Sequence, residues 1–193
     1  MSETQNKTQD VKMSPEMAAA HAKMIAAADE VEKVVVGKRT EVLHLLTAML
    51  AGAHVLIEDV PGTGKTTVVR ALLHIFESMD LRIALCAPTG RAAKRLSEST
   101  SHEARTIHRL LEYSGEEGRG MHFHRDEHDL LEENVIIIDE ASMVDVYLMS
   151  ALLKAVKPGA RVIIIGDADQ LPSVGAGNVL RDLLESGRFA TVR

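Results

Sequence analysis

The sequence has few aromatic residues, a single cysteine and no long apolar run, and each shortage excludes a class of protein. Aromatic residues make up 3% of the 193 residues and tryptophan is absent, so aliphatic side chains must form the core. The lone Cys86 excludes a disulfide within the chain and fits a reducing compartment. No stretch approaches the roughly 18 apolar residues of a membrane helix, and the polar N-terminus lacks the apolar region of a signal peptide. We therefore expect a soluble, cytoplasmic protein with no membrane partner, in which residues 1–13 are disordered.

An excess of positive charge is also missing. The chain has 22 basic against 28 acidic residues, a net charge of −6. Any contact with nucleic acid must therefore use a local basic patch rather than the charge of the whole chain. The length and an apolar fraction of 46% suit one globular domain, with or without an additional arm.

The sequence at residues 54–67, HVLIEDVPGTGKTT, has the form of a phosphate-binding loop. An apolar run leads through a glycine-rich turn into the start of a helix, which is the context that such a loop needs. Lys65 would reach the β- and γ-phosphates of a nucleotide, and the Thr66 hydroxyl would hold Mg²⁺. Backbone N–H groups and the positive end of the helix dipole would favour the phosphates. The residues predicted to bind nucleotide here are Pro61, Gly62, Thr63, Gly64, Lys65, Thr66 and Thr67.

One position departs from the loop motif. Asp59 stands where the motif has its first glycine. An acid at the mouth of an anion site is unfavourable unless its side chain points away. The alternative is a chance glycine-rich turn, which the strand before it and the helix after it disfavour.

Apolar runs alternate with helical patterns along the chain, which predicts an α/β fold with a parallel sheet and helices on both faces. A helical N-terminal segment is expected over residues 14–52, and the nucleotide-binding core over residues 53–193. Strands are predicted at residues 54–59, 81–87, 135–139 and 162–167. Helices are predicted at residues 14–33, 39–51, 65–78, from 91, 107–113, 144–155 and 177–186, with a loop or irregular hairpin at 114–133.

Polar residues follow the predicted strands, at the edge where parallel sheets bind ligands. Asp139 is placed to bind Mg²⁺, and Glu140 to take a proton from an attacking water as general base. The alternative is a strand capped by solvated acids. Gln170 follows another predicted strand. In the phosphate-loop ATPases that this pattern resembles, that strand lies between the loop strand and the Asp139 strand, which implies that Gln170 would contact the γ-phosphate or the water. A plain turn is the alternative there.

Four segments together closely resemble the first motor domain of RecD-like superfamily 1 DNA helicases. They are APTGRAAKRLSEST (87–100), ARTIHRLLEY (104–113), IIIDEASMVD (136–145) and GDADQLPSVGAGNVLRDLLESG (166–187). The resemblance covers about residues 61–193. It implies a RecA-like P-loop NTPase fold and ATP-driven, 5′–3′ translocation on single-stranded DNA. It places Pro88, Thr89, Gly90, Thr106 and His108 at the DNA backbone.

A basic patch supports the DNA assignment in part. Arg91 directly follows Gly90 and joins the predicted DNA contacts. In the segment that follows, basic residues outnumber acidic ones, and the alternative is an ordinary solvated helix face. The basic residues are Arg91, Lys94, Arg95, Arg105 and Arg109, against Glu98, Glu103 and Glu112.

The front of the chain resembles a different family. Residues 33–66 read KVVVGKRTEVLHLLTAMLAGAHVLIEDVPGTGKT and resemble the start of a MoxR-type AAA+ ATPase. In that family Val36 and Gly37 would contact adenine, and Asp59 is a familiar variant. The glutamine-bearing adenine motif of the helicases is not recognisable. The chain thus resembles a splice of two phosphate-loop ATPases, joined at the loop.

A second motor domain, which in the helicases supplies arginine fingers, is not recognisable. An arginine finger raises the rate about 10³- to 10⁵-fold. We therefore expect ATP and Mg²⁺ binding with weak turnover and no unwinding by this chain alone. The alternatives are a MoxR-like chaperone ATPase and a nucleotide-binding fragment without motor activity. Histidines 122, 124 and 128 raise the alternative of a metal site, although solvated hairpin residues are the expectation.

Overall fold

The computed structural model describes residues 14, 22, 25–26, 28–29, 39–58, 65–115, 121–170 and 173–192. The helices are α1 (Arg39–Leu50), α2 (Lys65–Ser78), α3 (Gly90–Thr100), α4 (Ile107–Leu110), α5 (Val146–Ala155) and α6 (Val179–Glu185), with a 3₁₀ turn at Ala141–Met143. The strands are β1 (Val55–Glu58), β2 (Ile83–Ala87), β3 (Ala104–Thr106), β4 (Tyr113–Gly115), β5 (Met121–Phe123), β6 (Val135–Ile138), β7 (Arg161–Gly166) and β8 (Ala190–Val192).

A six-stranded sheet with the order β3-β2-β6-β7-β1-β8 forms the centre of the fold. Every neighbouring pair in it is parallel. The predicted parallel sheet is therefore confirmed, and β7 lies between β1 and β6 as expected. The edge strands β3 and β8 were not predicted, because each is three residues long and lacks a buried apolar run.

Helices cover both faces of this sheet, as predicted. Along β6, Ile136 and Ile138 point to one face and pack with residues of α4 and α5. Val135 and Ile137 point to the other face and pack with residues of α2 and α3. This alternation follows from the two-residue repeat of a strand. The near-continuous apolar runs are thus explained by burial on both sides.

Several predicted boundaries shift for local reasons. Predicted helix 65–78 matches α2, but predicted helix 107–113 ends at Leu110 because Glu112 adopts a left-handed backbone with φ of 51°. Thr106 is its N-cap, as predicted. Predicted helix 144–155 begins two residues later than expected, as α5 at Val146, and the 3₁₀ turn lies before the predicted range. The start of α5 is capped by the Asp145 carboxylate, which accepts from Leu148 N at 2.8 Å.

The region predicted as a loop or irregular hairpin contains a regular antiparallel hairpin of β4 and β5. It is followed by a turn in which Arg125 donates to the Glu112 carboxylate at 2.8 Å and to the Asp129 carboxylate at 3.1 Å. These bonds tie the segment after the hairpin to the end of α4. Residues 116–120, between the two strands, lie outside the described residues.

The N-terminal segment packs on the core where it is described. Ala28 is helical and buried, and its cluster includes Val42 and Leu46 of α1 and Ile75 of α2. Arg39 donates to the Asp29 carboxylate at 2.7 Å. Most of predicted helix 14–33, the predicted disordered tail and the adenine-contact residues Val36 and Gly37 lie outside the described residues.

Cys86 lies in β2 and is fully buried, with its Sγ atom 3.5 Å from the Ile137 carbonyl oxygen. Burial raises the pKa of this thiol far above its usual value, so the thiol remains protonated. Cys86 therefore serves as a core packing residue. Across the described residues, no helix has both the length and the apolar character required to cross a membrane.

Candidate functional site

The carboxyl ends of the central strands meet at one edge of the sheet. The strand register pairs Glu58 of β1 with Gly166 of β7, and Ile138 of β6 with Ile164 of β7. On the other side, Asp139 N donates to the carbonyl oxygen of Cys86 at 2.9 Å. The polar residues that follow β1, β7, β6 and β2 are therefore neighbours, as the parallel topology predicted.

The predicted phosphate loop falls mostly outside the described residues. Residues 59–64, including Asp59 and the loop glycines, are not among them. The described chain stops at the end of β1 and resumes at Lys65, the first residue of α2. Thr66 is exposed and Thr67 is half-buried. The loop would thus join a central strand to the N-terminus of a helix at the ligand-binding edge.

Two adjacent acids follow β6 and occupy different environments. Asp139 is 8% exposed, and its Oδ1 atom accepts a hydrogen bond from Glu140 N at 2.9 Å. Glu140 is half-buried and has φ of 54° and ψ of 41°, in the left-handed region. That conformation costs a residue other than glycine about 1–3 kcal/mol and is concentrated at functional sites. The turn that presents Glu140 is therefore strained.

The end of β7 presents a second buried acid. Asp167 is 8% exposed and its Oδ1 atom accepts from Asp169 N at 2.9 Å. Its carbonyl oxygen accepts from Gln170 N at 3.3 Å, which places the exposed Gln170 on the turn after β7. The sequence placed Gly166 and Asp167 at a polar strand end but assigned Asp167 no role. A polar residue directly after a buried strand, the pattern that drew attention to Asp139, was the available signal.

The predicted DNA contacts lie after β2 and β3. Thr89 caps α3, with Oγ1 accepting from Ala92 N at 3.2 Å, and Thr106 caps α4 in the same way, from Arg109 N at 3.2 Å. Capping gives both threonines a structural role as well. Pro88 is half-buried and lies beside them. In the described part of the chain, no atom other than those of the adjacent residues and of the helix backbone lies within 4 Å of the position that a Cβ on Gly90 would occupy. Packing therefore does not account for a glycine at that position.

The basic patch is smaller than the residue count indicated. Arg105 donates to the Glu103 carboxylate at 2.9 Å, and Lys94 lies 3.8 Å from the Glu98 carboxylate. Among the described residues, no ion pair involves the exposed arginines of the patch. These are Arg91, Arg95 and Arg109. The side chains available to a phosphate backbone are therefore mainly these three.

Three rings converge beside the patch. His108 lies edge-on to Tyr113, with ring centroids 5.7 Å apart, and 5.9 Å from Phe123. Tyr113 and Phe123 are 5.6 Å apart across the β4–β5 pair. The sequence has few aromatics, and the hairpin register is what brings these together with His108.

The other histidines of this region lie on and after the β4–β5 hairpin. His122 and His124 are exposed, with ring centroids 5.5 Å apart. The backbone N–H of His128 donates to the Asp126 carboxylate at 2.7 Å. The described ranges contain no group of three or more histidine, cysteine or acidic side chains able to hold a metal ion. The metal-site alternative at these histidines therefore gains no support.

A family model described as "AAA domain" (AAA_19) matches residues 45–176, which is more than half of the 193 residues. The chain therefore belongs to this family. The matched region runs through the phosphate loop and all the strand ends described above. It also includes part of the segment that resembles MoxR-type ATPases. That second resemblance gains no support from the comparisons and remains a prediction.

The chain is also similar to curated proteins. It is 43% identical over 150 residues to the ATP-dependent RecD2 DNA helicase of Deinococcus radiodurans, covering 78% of this chain and 20% of that protein. It is 46% identical over 148 residues to the RecBCD enzyme subunit RecD of Mycobacterium tuberculosis, covering 65% of this chain and 25% of that protein. The chain thus spans a fifth to a quarter of the length of these relatives.

The fold also has solved counterparts. A structure of two Pif1 helicases, determined to explain DNA unwinding at forked duplex DNA, superposes with a TM-score of 0.51 at 24% sequence identity. The superposition covers 76% of this chain and 37% of the Pif1 chain. At this level of identity the match supports the P-loop NTPase-like fold.

Proposed function

We propose that this chain is the first motor domain of a RecD-like superfamily 1 helicase, which hydrolyses ATP and, when complete, moves 5′–3′ along single-stranded DNA. The observation that carries the proposal is the placement of buried Asp139 and strained Glu140 at the sheet edge where β1 ends and α2 begins. The similarity to an ATP-dependent RecD2 DNA helicase agrees with it.

The nucleotide would be held at the start of α2. Gly62 and Gly64 would bring backbone N–H groups to the phosphates, and Lys65 would contact the β- and γ-phosphates. Thr66 and Asp139 would hold Mg²⁺, because hydroxyl and carboxylate oxygens are its preferred protein ligands. When bound, Mg²⁺ would neutralise the charge that develops on the transferred phosphoryl group.

Two further residues would act on the attacking water. Glu140 would accept its proton, and the short turn after β6 would hold that carboxylate close to the phosphates. Gln170 would orient the water or hydrogen-bond the γ-phosphate from the turn after β7. Support for this arrangement comes from the strand order, in which β7 separates β1 from β6.

Single-stranded DNA would cross the adjacent part of the same edge. Pro88, Thr89, Gly90, Thr106 and His108 would contact its backbone, as the helicase resemblance implies. The open space around Gly90 and the exposure of the neighbouring Arg91 support this path. Gly90 would allow close approach of the backbone, and the guanidinium group would pair with a phosphate.

The complete cycle would need a second motor domain. The chain corresponds to only 20–25% of the length of its RecD relatives. Arginine fingers supplied from outside this chain would stabilise the transition state, and the chain alone would hydrolyse ATP slowly and would not unwind duplex DNA.

ATPase assays with and without an oligo(dT) strand test the proposal. We expect the strand to stimulate hydrolysis by the unaltered chain, and Lys65→Ala to abolish the stimulated rate because alanine cannot reach the phosphates. Lys154→Ala, which removes a lysine with a 59% exposed side chain from α5, is the matched control and should behave as the unaltered chain. Absence of any hydrolysis would instead favour a nucleotide-binding fragment. A ring-shaped oligomer whose rate of hydrolysis is the same with and without DNA would favour a MoxR-type ATPase.

The DNA path gives a separate prediction. Replacing Arg91 and Arg95 together by alanine should weaken oligo(dT) binding and reduce the slope of log K against log salt concentration. The reduction expected is about 0.7 for each phosphate of the single strand that the two arginines neutralise. Fluorescence anisotropy titrations at several salt concentrations measure it. Arg188→Ala, an exposed arginine between α6 and β8, should leave the slope unchanged. Equal slopes for all three proteins would place the DNA elsewhere.

A further inference from the structure

Ser142 carries a buried hydroxyl beside the candidate catalytic acids. The residue is 6% exposed, and its Oγ atom has no hydrogen-bond partner among the residues that the structure describes. Buried polar groups in proteins are nearly always paired, and an unpaired one destabilises the state that contains it. Ser142 lies in the 3₁₀ turn that directly follows Glu140. The strained backbone and the unpaired hydroxyl thus belong to the same turn.

This turn packs directly against the end of β7. A Cβ atom added to Gly166 would lie 3.1 Å from Ser142 N, 3.2 Å from Ala141 N and 2.7 Å from Leu180 Cδ2. Only a glycine allows this close approach without displacement of a neighbour. The backbone that carries Glu140 and the backbone that leads into Asp167 and Gln170 are therefore in direct contact.

A second contact joins the same two parts of the chain. Val146 N donates to the carbonyl oxygen of Ala176 at 3.1 Å. A Cβ atom on Gly175 would lie 2.2 Å from Asp145 Oδ2. The segment between β7 and α6 therefore packs closely against the start of α5. Gly177 has φ of 89°, and a Cβ there would lie 2.4 Å from Val146 Cγ2. A displacement of the segment after β7 would therefore move the segment after β6.

We propose that Ser142 is a positioning residue that links the Glu140 turn to residues 167–170. Its hydroxyl donates to an acceptor in that segment when a γ-phosphate is bound. This hydrogen bond fixes the position of Glu140 relative to Gln170. The inference rests on the proposed nucleotide-binding function. The hydroxyl has no partner among the described residues, so a hydrogen bond that forms only with a γ-phosphate in place would favour the γ-phosphate-bound state.

Two measurements on Ser142→Ala test this role. The first is the thermal midpoint without nucleotide, which should rise by about 2–4 °C because a buried unpaired hydroxyl is removed. The second is the ratio of the dissociation constants of ADP and a non-hydrolysable ATP analogue. This ratio should fall about three- to tenfold, because the analogue alone gains the additional hydrogen bond. Ser150→Ala removes an exposed hydroxyl from α5 and should change neither quantity.

A lower thermal midpoint with an unchanged ratio would show that Ser142 serves packing alone and would overturn the inference. An unaltered chain that binds ADP and the analogue equally well would also overturn it, while nucleotide binding itself would stand. If the unaltered chain binds neither ligand, both the proposed function and this inference fall.

Discussion

Glu140→Gln is expected to slow ATP hydrolysis about 10²- to 10⁴-fold while nucleotide remains bound. The amide is close in size to the carboxylate but cannot accept the proton of the attacking water. Since the substitution retains the side-chain length, the left-handed backbone at this residue is not further strained. Single-turnover phosphate release measures the rate, and a fluorescent ATP analogue measures binding in parallel.

The matched control for this substitution is Glu185→Gln. Glu185 is an exposed glutamate at the end of α6, and its replacement should leave both rate and affinity unchanged. Equal hydrolysis rates for Glu140→Gln and the unaltered chain would contradict the assignment of Glu140 as general base. A simultaneous loss of nucleotide binding would instead indicate that Glu140 supports the site rather than the chemistry.

Phe76→Ala is expected to lower the free energy of unfolding by about 3–5 kcal/mol. Phe76 is fully buried in α2 and packs in the cluster that includes Ile137 and Ile163 of the central sheet. Alanine would leave a cavity between the helix and the sheet, which close packing cannot refill. Because the same helix begins at Lys65, its loosening should also weaken nucleotide binding. Urea unfolding followed by circular dichroism measures the stability.

Tyr147→Ala provides the comparison for removal of an aromatic ring. Tyr147 lies on α5 and is 76% exposed, so its removal should change the free energy of unfolding by no more than about 0.5 kcal/mol. Similar losses of stability for both substitutions would contradict the burial pattern. A stable Phe76→Ala protein that no longer binds nucleotide would separate the role of α2 in the site from its role in the core.

The central strands, and their burial on both faces, could be predicted from the local sequence pattern. The run Val135 to Ile138 is apolar at every position, and only a strand covered on both faces accommodates that without exposing apolar surface. The position of β7 between β1 and β6 was also predicted, but from the family resemblance rather than from the residues. Strands β3 and β8 escaped prediction because their pairing with β2 and β1 depends on distant segments.

Part of the candidate site could also be predicted from the local sequence pattern. Asp139 and Glu140 stand at the end of an apolar run, so their location at the ligand-binding edge follows from the strand that precedes them. Their roles, like those of Gln170 and the phosphate-loop residues, remain predictions that the experiments above address. The DNA path was predicted from the family resemblance. The structure pairs Arg105 with Glu103, which reduces the number of basic side chains available to DNA.

Local sequence was therefore sufficient for the parallel sheet, the helix that follows the phosphate loop and the polar strand ends, because each depends on residues close together in the chain. Tertiary structure alone decided the burial of Asp167, the convergence of His108 with the hairpin aromatics and the unpaired hydroxyl of Ser142. The contact of Gly166 with the Ser142 turn joins the end of β7 to the turn that follows β6. Such contacts depend on how separate elements pack, and no periodicity within either segment encodes them.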